Sequence, residues 1–203
     1  MSQVVLIRPG STEFSREGRI EGTLDLPLTE EGEAEVKSRL EDLQKLGLDV
    51  VCCPSEGAAR RTAELIGKGL GVKVKPIKGL HNVNHGLWQG LQLEEVRHKH
   101  PKVFRQWQEA PTTVCPPEGE MVSEAYERVR QTLGSLLKRQ KDKVVGLVVP
   151  DPLSQIVRCF LKQEDLAQLR NFGGFNGNNG RYEIVEVALA SAGVNSPATA
   201  EQP

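Results

Sequence analysis

Two short, unbroken apolar runs constrain this chain most: Val4-Val-Leu-Ile7 and Val144-Val-Gly-Leu-Val-Val149. A strand that is apolar at every position has both faces covered, the signature of a parallel strand inside a layered α/β sheet. Leu48 to Cys53 and Tyr182 to Ala188 read as two further strands. Between them the period turns helical. Thr29-Glu-Glu31 is a helix start, a capping hydroxyl followed by carboxylates, with Val36, Leu40 and Leu43 at helical spacing. From about Ser55, the residues Ala59, Thr62, Ala63, Ile66 and Leu70 share one helical face, which Gly71 ends. Val122, Ala125, Tyr126, Val129, Leu133, Leu136 and Leu137 form the clearest stripe, and Leu153 to Leu161 begins another helix. Strands alternating with helices predict a three-layer α/β domain over residues 1–189, with a mostly parallel central sheet and helices on both faces. Residues 190–203 are small, polar and Pro-containing, and are expected to form a disordered tail.

Composition excludes several classes of function. The chain has 203 residues, 38% of them hydrophobic, and Lys+Arg 26 against Asp+Glu 27 leaves a net charge of −1. No basic field points to nucleic acid or a membrane surface. The run 144–149 is far short of a membrane span, and Met1 to Arg8 lacks the basic region and apolar length of a signal peptide. Four cysteines, two of them adjacent at Cys52 and Cys53, match neither a disulfide framework nor a zinc pattern. A reduced, cytoplasmic protein without metal or cofactor is expected.

In such sheets, ligands bind beyond the carboxyl ends of the strands, which directs attention to the residues after Ile7, Cys53 and Val149. The segment Arg8-Pro9-Gly10-Ser11-Thr12 continues through Ser15 and Arg19-Ile-Glu-Gly22 to Asp25-Leu-Pro-Leu-Thr29 and Gly32. This block resembles, without a gap, the opening of the histidine phosphatase superfamily, which includes the cofactor-dependent phosphoglycerate mutases. Arg60-Arg-Thr-Ala63, Gly86-Leu-Trp-Gln-Gly90 and Pro116-Pro-Glu-Gly-Glu120 are similar to later family segments, so the resemblance covers about residues 3 to 161. It implies the phosphoglycerate mutase-like fold and a phosphate pocket served by a phosphohistidine.

The departures fall on the positions that carry the family's chemistry. The nucleophile position is Pro9, whose ring nitrogen is locked in the peptide and accepts no phosphoryl group. The phosphate-contacting Asn position is Ser15, the second phosphate-binding arginine falls on Ala58, and the acidic proton donor falls on Asn82. The second histidine position lies in Pro150-Asp151-Pro152, and no histidine occurs from 101 to 203. Loss of a covalent nucleophile in a comparable constellation costs on the order of 10⁶ in turnover. Each lost stabilising donor costs roughly 3 kcal/mol more, without simple additivity. Histidine-based transfer is therefore not expected.

Several residues are candidates to replace the missing groups. Arg61 lies about one turn after Ala58 and leans toward the N-terminus of its helix, where it can reach the vacated spot; the competing reading is a surface arginine beside Arg60. Cys53 ends a strand at the ligand edge, but Arg60 follows it one residue too late for a thiolate phosphatase loop, so a buried structural thiol is expected. His81 and His85, with His98 and His100, read as surface loop histidines without a metal-ligand pattern. Gly174 to Gly180 precedes a strand and reads as a Gly/Asn turn, not a dinucleotide loop. Phe104, Trp88 and Trp107 read as core. Arg8 has two readings, a phosphate ligand or a structural partner of Asp151.

The sequence thus predicts a catalytically inactive member of this fold that acts by binding or scaffolding. Its candidate pocket comprises Arg8, Ser11, Ser15, Asn82 and Asp151, and would hold a small anion, a phosphorylated ligand or a protein partner. The alternative is residual phosphoester chemistry through a non-histidine nucleophile or water. A self-associating protein with an empty pocket is a third reading.

Overall fold

The computed structural model describes residues 2–170, 172 and 182–187. The expected turn at Gly174–Gly180 and the tail 190–203 lie outside them. Five strands, β1 (Ser2–Ile7), β2 (Val50–Cys53), β3 (Lys73–Pro76), β4 (Val144–Val148) and β5 (Tyr182–Val187), form one sheet in the order β3-β2-β4-β1-β5. β1 pairs in parallel with β4, β4 with β2 and β2 with β3, while β5 runs antiparallel to β1 at the edge. The mostly parallel sheet is as the apolar runs predict.

Eight α-helices accompany the sheet among the described residues: α1 (Glu13–Arg16), α2 (Glu30–Ser38), α3 (Leu40–Lys45), α4 (Gly57–Leu70), α5 (Leu93–Lys99), α6 (Pro101–Glu109), α7 (Val122–Arg139) and α8 (Leu153–Lys162). Side chains alternate across a strand, so β1 feeds two cores. Val5 and Ile7 join Val51, Cys53 and Val148 under α2, α3 and α4, through Val36, Leu43, Ala63 and Ile66. Val4 and Leu6 join Val50, Cys52, Val145 and Leu147 on the other face, under α5 to α8. Helices therefore cover both faces, and the three-layer architecture follows.

Local signals set the helix ends. The Thr29 hydroxyl accepts a hydrogen bond from Gly32 N at 2.9 Å and caps α2. Gly71, at φ 69°, terminates α4. Trp107 of α6 is 1% exposed and centres the larger core, meeting the rings of His85, Trp88, Phe104 and Phe172. None of the described helices is long and apolar enough to cross a membrane.

Candidate functional site

The loop leaving β1 is held from behind before it reaches the site. Gly10 N donates to the hydroxyl of buried Thr62 on α4 at 3.0 Å. Ser11 donates its N–H and its hydroxyl to the Glu35 carboxylate, at 3.2 and 2.8 Å. Arg39, 9% exposed, donates from Nη1 to the Arg8 carbonyl at 2.9 Å and lies 3.5 Å from Glu35 Oε2. Gly10 and Gly32 make this approach feasible, since a Cβ on Gly10 would stand 2.4 Å from the Gly32 carbonyl oxygen. The loop then caps α1 through Thr12 and Ser15. Thr12 Oγ1 accepts from Ser15 N at 3.0 Å, and Ser15 Oγ accepts from Thr12 N at 2.9 Å.

Beyond this loop opens a cleft of about 830 Å³ at the carboxyl ends of β1, β2 and β4. The five pocket residues anticipated from sequence, Arg8, Ser11, Ser15, Asn82 and Asp151, all line it, as do Pro9 and Ala58, on which the sequence resemblance places a nucleophile and an arginine. Ala58 stands in the first turn of α4, whose N-terminal residues form one wall. Arg8 Nη2 lies 3.4 Å from Asp151 Oδ2. Asp151 is held in turn: its carbonyl accepts from Asn82 Nδ2 at 2.9 Å, and its Oδ1 accepts from the Ser154 hydroxyl. Asn82 Oδ1 accepts from Val83 N and Leu153 N, at 2.9 and 3.3 Å. Much of the polar capacity of Ser11, Ser15 and Asn82 therefore goes into holding the loops.

Arg61 is not brought to this cleft. It gives Nε and Nη2 to Glu33 Oε1 at 2.8 and 2.7 Å, with a half-exposed side chain. Cys53 is fully buried in the sheet face under α4 and does not line the cleft, and burial pushes its thiol up to about 11. A thiolate nucleophile is absent there. His81, His98 and His100 are exposed, as expected of surface histidines. His85 is the correction. It is 2% exposed, lines the cleft, and packs edge-on against Trp107 with centroids 5.4 Å apart. Its Nδ1 is buried without a hydrogen-bond partner, and desolvation lowers its pKa to about 4. An apolar loop around Val83 and the aromatic core enclose a ring that sequence alone placed at the surface.

Glu21 lines the cleft although the sequence reading assigned it no role. Burial raises its pKa, an effect the Thr12 hydroxyl bond opposes and the Asp151 charge reinforces. Its position inside Arg19-Ile-Glu-Gly22 was the available signal: a carboxylate in a Gly-ended loop directly after the ligand edge. Glu21, Asp151 and Glu56 face Arg8, Arg19 and Lys78 around the cleft, so it carries no net positive field to draw in a phosphate dianion. No group of three or more His, Cys, Asp or Glu among the described residues could hold a metal ion.

A five-stranded, mostly parallel sheet with helices on both faces and a cleft at its carboxyl edge define an α/β protein of the three-layer class. The family model described as the histidine phosphatase superfamily (branch 1) matches residues 4–192, and the chain belongs to that superfamily. Phosphoserine phosphatase 1 of Hydrogenobacter thermophilus is 29% identical over 187 residues, covering 92% of this chain and 87% of that protein. The "Probable phosphoglycerate mutase GpmB" of Salmonella arizonae is 30% identical over 138 residues, and the matched region spans 64% of its length. Among solved structures, Bacillus stearothermophilus YhfR shares the fold, with a TM-score of 0.78 at 23% identity over 93% of this chain and 92% of its own. A mycobacterial glucosyl-3-phosphoglycerate phosphatase, Rv2419c, solved in complex with VO3, gives a TM-score of 0.76 at 25% identity, covering 81% of this chain and 82% of its own.

Proposed function

We propose that this chain is a histidine phosphatase relative that has given up histidine-based phosphoryl transfer and acts by binding a small ligand or a protein partner at the cleft. One observation carries the reading: the residue that follows Arg8 at the head of the cleft is Pro9. A phosphoenzyme needs a nitrogen lone pair there, and a prolyl amide nitrogen has none to give. The surroundings agree. Ala58 supplies no charge, and Asp151 places a carboxylate 3.4 Å from the Arg8 guanidinium, where it competes with an anion for that group. Binding, in this reading, uses the Arg8–Asp151 pair and the Glu21 carboxyl as the polar contacts of the cleft.

The test is phosphate release from an aryl phosphate, 3-phosphoglycerate and O-phosphoserine, with the wild type beside Arg8→Ala. The expected result is no turnover above the Arg8→Ala background. Turnover that depends on Arg8, and that falls further in Glu21→Gln or His85→Phe, overturns the reading and assigns hydrolysis to a water or a displaced nucleophile.

A further inference from the structure

Arg8 also lines a second cavity, of about 200 Å³. Its walls come from the end of β1, from α8 and from β5. Ser154, Gln155 and Arg158 fall three and four residues apart on α8, so they present one face to it. Arg170 and Tyr182 complete the lining with Glu183. Arg8, Arg158 and Arg170 thus line one small space, Arg8 with its Nη2 also 3.4 Å from Asp151 Oδ2, and Arg158 and Arg170 as exposed residues. The acid that shares it, Glu183, already binds Lys162 Nζ at 2.7 Å. Arg170 is fixed in place through Nη1 alone, which donates to the carbonyls of Ala167 and Leu169 at 2.6 and 2.8 Å. Arg158 makes no ion pair among the described residues, and the Gln155 side-chain amide makes no hydrogen bond among them.

Like charges gathered in one cavity repel unless an anion joins them, and planar guanidinium groups match the oxygens of a tetrahedral oxyanion. We propose that this cavity is an anion site that takes a phosphate group, free or as the terminus of a small ester, bound by Arg158 and Arg170 with Gln155 as a neutral donor. The volume suits one such group with a few waters, each of about 30 Å³. Arg8 lines both cavities. The assignment is independent of whether the main cleft turns over a phosphoester.

Calorimetric titration of the full chain with inorganic phosphate, then with glycerol 3-phosphate, tests it. The expected result is one saturable site that weakens as salt rises, about tenfold weaker in Arg158→Gln and weaker again in Arg158→Gln/Arg170→Gln. Tighter binding of the ester assigns the site to phosphorylated ligands; equal affinity assigns it to the free oxyanion. Arg61→Ala, whose side chain lines neither cavity, leaves binding unchanged. Arg158→Gln alone removes no described ion pair or hydrogen bond, so it reads out even if the double variant fails to fold. Absence of saturable binding, or binding within twofold of wild type in Arg158→Gln and the double variant, overturns the proposal.

Discussion

Burial of His85 converts a side chain that ordinarily titrates near neutrality into one that stays uncharged down to about pH 4. The unfolded chain binds a proton there from its usual value of 6.5 downward, while the folded chain does not. The stability of the fold is therefore fully present above that value and falls as pH drops toward 4. For this group alone the loss is roughly 2 kcal/mol between pH 7.5 and pH 5. His85→Phe removes the titration and the unpartnered Nδ1 while keeping a ring against Trp107. Denaturant unfolding at the two pH values should show the wild type losing about 2 kcal/mol more than the variant; equal losses would place the ring in water. The residue scale is also where the sequence was least legible. Ser11 and Asn82 are at the cleft as their motif positions implied, but Glu35 and Leu153 engage them, and such partners are set by tertiary contact rather than spacing.

Elements were legible in proportion to the apolar surface they bury. β1, β4, α4, α7 and α8 announced themselves because each buries a continuous run or a full stripe. β3 did not, since Lys73-Val-Lys-Pro76 is a four-residue edge strand with charged and Pro positions, the composition an exposed edge favours. α5 and α6 were also missed. They bury Val96, Phe104 and Trp107 at their cores and are otherwise mostly polar, with Pro101 at the first position of α6. The junction of α2 with the loop after β1 depends on two glycines more than on any side chain. A Cβ on Gly32 would lie 2.2 Å from the Ser11 carbonyl oxygen, a contact with backbone that cannot swing aside. Gly32→Ala should therefore cost about 1–3 kcal/mol and disturb the Ser11–Glu35 bonds. Thermal unfolding checks the cost. A variant as stable as wild type would show that α2 can shift away from the loop freely.

At the scale of the molecule, the two cores on either side of the sheet are built without the cleft residues at Arg8, Pro9, Ala58 and Asp151, which lets the fold persist while the chemistry of the site changes. On the proposed reading of an inactive cleft, the same separation sets what would restore activity. Pro9→His returns a nucleophile but leaves Ala58 uncharged, Asn82 unable to protonate a leaving group, and Asp151 beside Arg8. Its turnover of O-phosphoserine should remain within about twofold of background. Adding Ala58→Arg, Asn82→Glu and Asp151→His supplies the missing positive charge and the acid together. It also removes the Arg8–Asp151 pair and the Asn82 bonds to the Asp151 carbonyl and Leu153 N–H. Groups that stabilise one transition state act as a unit, so the combined variant should exceed Pro9→His by a factor on the order of 100 or more. Release assays beside a measurement of acid-labile phosphoenzyme separate the cases. Substantial turnover by Pro9→His alone would mean that the cleft still stabilises a phosphoryl group, with the missing nucleophile as its single barrier. Silence in the combined variant that remains folded would mean that the loops around Asn82 and Asp151 have moved too far from the family geometry for side chains alone to recover it.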